Sequence, residues 1–226
     1  MDSFEIIEQA ISNTRVRLYP RQSLATFGTT SVNYFVITSL LDQLCAVREG
    51  KVVAEMPRIL TPYHLPTFEG FGSHGKDLAQ WLIRTYGPDT PMLRYAFRHE
   101  PKEMHIVSNS TDEVVLRLLE KADREQDRLC GILEGAEETW NISVWKLALD
   151  MAERSLSTAL TELDRSGLLE VERGIPKHAR FVIERMFEDM EKDRSLAPAL
   201  VRELQRWGLF EEYQDRFLAF FRTGRR

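Results

Sequence analysis

Between Trp145 and Leu163 six apolar residues (Trp145, Leu149, Ala152, Leu156, Ala159 and Leu163) recur at intervals of four, three, four, three and four. That spacing keeps them on one stripe of an α-helix for about five turns, with the a/d character of a helix-packing seam. Val144, Leu147, Ala148, Met151 and Leu160 widen the stripe, so the helix is expected to pack against more than one neighbour. Gly167 suits the left-handed position just past its end.

Around this helix the two halves of the chain read differently. Before residue 110 the apolar residues cluster in short β-type runs. Tyr34-Phe35-Val36-Ile37-Thr38 reads as a strand. Leu44–Val47 and Val52–Met56 flank Glu49-Gly50 and read as a hairpin, with Gly50 supplying a positive φ. A second hairpin is expected from Leu93–His99 and Glu103–Val107, turning at Glu100-Pro101-Lys102. Helices are expected over Phe4–Ser12 and Lys76–Thr85, the latter stopped by Gly87-Pro88. After Ser110 the pattern is helical almost throughout. It comprises a helix capped by Asp112, the long helix, then Lys177–Lys192, Pro198–Trp207 and a terminal helix ending at Arg222. The expected fold is α+β: an antiparallel sheet with a packed helix over residues 1–110, followed by an all-helical bundle over residues 111–226.

Length and composition limit the functional classes. A chain of 226 residues can bury one large core or two small ones. Its net charge of −5, from 30 basic and 35 acidic residues, disfavours binding to nucleic acid by overall charge. Residues 1–5 lack the basic and apolar regions of a secretory signal, and the longest nearly apolar run, Tyr34–Leu41, is too short to span a bilayer. Cys45 and Cys130 form neither a disulfide framework nor a zinc set. The expected location is the cytoplasm, without a membrane partner. No residue pattern assigns a cofactor or a catalytic group.

Four constellations carry chemistry. Gly70, Gly72, Ser73, His74, Gly75 and Lys76 match both the Gly-x-Gly-x-x-Gly and the Gly-x-x-x-x-Gly-Lys patterns, whose backbone N–H groups cradle anions at a helix start. Asp77 stands where a P-loop needs Ser or Thr for magnesium, so an anion site or a tight turn is expected in place of a nucleotide site. This loop is the centre of the alternative reading, a small-molecule or phosphate-ligand enzyme. In the expected second hairpin His99, Glu103 and His105 project together and form a candidate site for zinc or iron. In the C-terminal 20 residues Trp207, Phe210, Tyr213, Phe217, Phe220 and Phe221 form an aromatic cluster. That cluster serves either to dock the last helix on its own core or to bind a second copy or a partner protein.

The fourth constellation is Leu160, Leu163, Gly167, Leu168 and Leu169 within Leu156–Glu170. It resembles the recognition helix and following turn of winged helix-turn-helix proteins, which implies a DNA-binding regulator as a further alternative. The chain departs from that pattern in three ways. The seam from Trp145 to Leu163 contains no helix break, Gly174-Ile175-Pro176-Lys177-His178 is expected to lead straight into a helix in place of a wing, and the helix carries Glu153, Glu162 and Asp164. The reading preferred from sequence is a non-enzymatic interaction protein with a helical protein–protein surface, either a homo-oligomer or bound to another protein.

Overall fold

The computed structural model describes residues 3–41, 43–60, 84 and 92–222. The fold is α+β, with a five-stranded sheet built mostly from the N-terminal half and helices concentrated toward the C-terminus. The chain divides into two units. The first comprises Met1–Pro57 and Tyr95–Leu160, the second Arg58–Arg94 and Thr161–Arg226. The sequence-based boundary near residue 110 does not coincide with this division. The reason is a strand absent from the sequence reading, Cys130–Gly135, which takes an interior place in the sheet.

The first unit opens with α1 (Ser3–Asn13) and β1 (Arg15–Leu18), followed by β2 (Thr30–Leu41) and β3 (Leu44–Ala54). β2 and β3 form the true hairpin, with Gln43 at φ +58° just before β3. β3 runs unbroken through Glu49-Gly50, so the expected first hairpin is a single strand. Gly50 is needed there for space. A Cβ at this position would lie 2.5 Å from the Tyr34 hydroxyl and 2.6 Å from the Glu100 carbonyl.

The expected second hairpin is likewise one strand, β6 (Phe97–Val107), antiparallel to β3. Pro101 is tolerated because β6 is the sheet edge, and the register slips by one residue beside it, at Glu49/Gly50. Helix α2 (Thr111–Arg124) begins with Ser110 as its cap and not Asp112. The Ser110 hydroxyl accepts from the Glu113 N–H, and the Glu113 carboxylate accepts from the Ser110 N–H.

The missed strand is β7 (Cys130–Gly135). It lies parallel to β2 and antiparallel to β1, giving the order β1-β7-β2-β3-β6, so the sheet is mixed and not purely antiparallel. Cys130, Ile132 and Leu133 are buried, a short apolar run that periodicity alone does not assign to a strand. Helix α3 (Trp140–Arg165) covers one sheet face, where Val144, Leu147, Ala148 and Met151 meet Val32, Tyr34, Val36, Val52 and Leu133. Helix α2 covers part of the other face, where Val114, Val115 and Ala122 meet Ile37, Val47, Cys130 and Ile132.

In the second unit β4 (Arg58–Leu60) pairs with β5 (Met92–Arg94). A two-residue turn joins β8 (Val171–Glu172) to β9 (Ile175–Pro176), with Arg173 at φ +53° and Gly174 at φ +80°. Helices α4 (Lys177–Lys192), α5 (Ala197–Arg206) and α6 (Phe210–Arg222) follow. Ile183, Phe187, Met190, Leu200, Leu204 and Trp207 form this unit's core. Buried Glu203 receives Arg58 at 2.7 Å, Arg206 at 2.6 Å and the Trp207 indole N–H at 3.0 Å, so its charge is compensated where water cannot reach it.

Candidate interaction surface

Up to Leu156, the face of α3 that packs inward is not the a/d seam. Val144, Leu147, Ala148, Met151 and Ser155 are buried, one position removed from the expected stripe. The seam residues from Trp145 to Leu156 point outward instead, whereas Ala159 and Leu163 at the end of the seam are buried. Trp145 is 59% exposed, Leu149 55% and Leu156 41%, with half-buried Ala152 between them. Large apolar side chains at d-a-d-a spacing on a solvent-facing stripe are unusual for a helix already packed on a sheet.

That stripe is held on a firmly anchored helix. Before its first turn, the Arg48 guanidinium clasps the Glu137 carboxylate with both nitrogens, donates to Thr38 Oγ1 at 3.0 Å and lies 5.1 Å from the Trp140 ring centroid. Thr38 donates to the same carboxylate. These contacts, the guanidinium first, hold the Glu137 carboxyl below its ordinary pKa. Next to them the buried Tyr34 hydroxyl and His99 Nε2 share a 2.7 Å hydrogen bond, and His99 meets Trp140 edge-on at 5.9 Å. Burial raises the tyrosine pKa and lowers that of the histidine, so both shifts favour the neutral forms.

Further along, Tyr19 donates to Asp150 at 2.8 Å, Lys146 joins the same carboxylate at 2.6 Å, and the Arg154 guanidinium stacks 3.6 Å over the Tyr19 ring. Ser155 Oγ accepts from the Leu24 N–H at 2.9 Å. The helix therefore has three faces: an apolar one on the sheet, a charged one tied to Tyr19, and the exposed stripe. The stripe lies on the side of β6, since Trp145 lines a shallow notch with Phe97, His99 and Asn141. On the opposite sheet face a cleft of about 310 Å3 has an apolar floor of Phe35, Val47 and Val107 and a rim that includes Arg117 and Lys121.

The sites expected from sequence fare differently. The loop Gly70–Lys76 and the helix expected after it lie outside the described residues, apart from Arg84, which is helical. The proposed metal ligands are divided between the two faces of the sheet. His99 pairs with Val52 on the α3 face, while Glu103 and His105 pair with Glu49 and Val47 on the α2 face, because the slip beside Pro101 reverses the alternation. Glu103 and His105 form a pair at 3.1 Å, and among the described residues no group of three or more His, Cys, Asp or Glu is arranged to hold a metal ion.

Of the aromatic cluster, Trp207 is buried, and Phe210, Tyr213, Phe217 and Phe220 pack half-buried against the second unit's core, leaving Phe221 exposed. The ring of Phe187 lies 5.7 Å from Tyr213 and 6.1 Å from Phe220. The β8–β9 hairpin follows the long helix where no wing was expected. Its flanking Glu170 and Glu172 pair with Lys177 at 2.5 and 3.3 Å. Helix α3 runs without a break through the residues that resemble a recognition helix.

Sequence reasoning identified the residues of the exposed stripe but assigned them to a buried seam. It missed the Arg48–Glu137–Thr38 and Tyr34–His99 groups, whose members lie 65 or more positions apart except for Arg48 and Thr38, and which leave no local signal. Among the described residues no helix is long and apolar enough to cross a membrane. No protein-family model, curated protein or solved structure matches this chain.

Proposed function

We propose that this protein is a non-enzymatic interaction module that docks another polypeptide's helix along α3. The observation that carries the reading is the exposure of Trp145, Leu149 and Leu156 on one face of a helix whose other two faces are occupied. Exposed apolar area of this kind gains free energy only when something covers it, at roughly 25 cal/mol per Å2. A d-a-d-a row is complementary to a partner helix bearing the same spacing. Trp145 is the expected anchor, since tryptophan carries a large share of interface energy in many complexes.

The test is site-specific photo-crosslinking in the native host, with the reactive side chain at position 149. A discrete adduct is expected that disappears in Trp145→Asp and is absent when the probe sits at the exposed Ser157. Equal labelling from both positions, or none from 149, would rule the reading out.

A further inference from the structure

We infer that the helix seated on the α3 stripe is the α3 of a second copy of this chain, running antiparallel to the first. The inference rests on the interaction reading above and identifies its partner. In heptad terms Trp145 and Ala152 occupy d positions, and Leu149 and Leu156 occupy a positions. Antiparallel helices pair a with d′ across a two-fold axis. With the axis midway between Leu149 and Ala152, Trp145 faces Leu156 of the other copy, and Leu149 faces Ala152. Each layer then sets a larger side chain against a smaller one, the combination that interdigitates without voids. Leu149 thus meets the one small residue in the row.

The flanking charges select the same arrangement. Lys146 and Glu153 are the e positions beside the stripe, whereas the g positions, Ala148 and Ser155, are buried within the first unit. Antiparallel packing brings e next to e′, so Lys146 of each copy, which also holds Asp150 of its own helix at 2.6 Å, approaches Glu153 of the other, twice by symmetry. Parallel packing brings e next to g′, where the side chains are uncharged and covered, and it sets Trp145 against Trp145. Glu153 is exposed and, among the described residues, takes part in no ion pair. The row from Trp145 to Leu156 spans only about 17 Å of helix at 1.5 Å per residue. The dimer is therefore expected to depend on concentration.

The experiment uses the full chain. Sedimentation velocity over a hundredfold concentration range is expected to show monomer passing to dimer. Trp145→Asp and, independently, Leu156→Glu should each weaken association at least tenfold with an unchanged circular dichroism spectrum. Orientation is read from cysteine pairs: Leu149→Cys mixed with Ala152→Cys should form a disulfide at least tenfold faster than either variant alone. The native Cys45 and Cys130 are buried and give little background. Faster crosslinking by Leu149→Cys alone would overturn the antiparallel register.

A monomer at every concentration would overturn the second copy as partner. Acrylamide quenching, compared between the native chain and Trp145→Phe, then separates the two ideas. An accessible Trp145 in that monomer leaves the interaction surface open to a different protein. A shielded Trp145 means that the chain covers its own stripe, and both readings fail.

Discussion

Single residues here show how differently one amino-acid type is used once the chain has folded. His178 is 1% exposed at the start of α4; its Nδ1 accepts from the Ile59 N–H at 3.3 Å, and its Nε2 has no partner among the described residues. Burial first, and then the neighbouring Arg58, push its pKa down to about 4. A base whose pKa is lower folded than unfolded stabilises the fold fully above its unfolded value of about 6.5. That contribution is lost as pH falls from there toward the folded value. Chemical denaturation followed by Trp207 fluorescence should therefore show the second unit losing up to about 1.4 kcal/mol per pH unit between those limits. A His178→Gln variant should lack that component of the slope. Gly50 illustrates the limit of local reading: a glycine between two β-type runs indicates a turn, yet the residue is buried mid-strand to admit the Tyr34 hydroxyl.

At the scale of elements, helices were legible to their ends, whereas strands were located without their connections: Tyr34–Thr38 lies in β2, Leu44–Val47 in β3 and Glu103–Val107 in β6, but both turns were misplaced and β7 was missed. The heptad spacing, Gly167 at φ +66° and the break at Gly208, also φ +66°, place α3, α5 and α6 within a residue or two of their observed ends. Lys177–Lys192 is found as expected. Helical signals are local, because each turn bonds to the next. The two expected hairpins failed because Glu49-Gly50 and Glu100-Pro101-Lys102 are turn-type segments, but the matching register of β2, β3 and β6 carries the strands through them. The start of α2 makes a testable case. Ser110 and Glu113 exchange the reciprocal bonds of a capping box, so Ser110→Ala should cost about 1 kcal/mol by thermal or urea denaturation. Asp112→Ala, which removes no cap, should cost less than half of that.

For the molecule as a whole, the decisive event is the return of the chain to a sheet already begun. β7 inserts between β1 and β2 and so joins residues about 100 positions apart. A fragment ending at residue 110 lacks β7 and α3, which leaves β1 unpaired and the Val32–Tyr34–Val36 face uncovered. Expressed alone, residues 1–110 should give poorly dispersed amide resonances and no cooperative melt. A cooperative transition from that fragment would contradict the division into units described above.

The α+β class, the helical character of the C-terminal half and the identity of the stripe from Trp145 to Leu156 followed from sequence alone, because composition and helical periodicity are properties of neighbouring residues. Which stripe of α3 faces the sheet was decided only by tertiary structure. Two apolar rows lie one position apart on that helix, and periodicity ranks them almost equally. The sheet accepts Val144, Leu147, Ala148 and Met151, while Tyr19, Asp150 and Arg154 fix the helix rotation, and Trp145, Leu149 and Leu156 are turned out toward solvent.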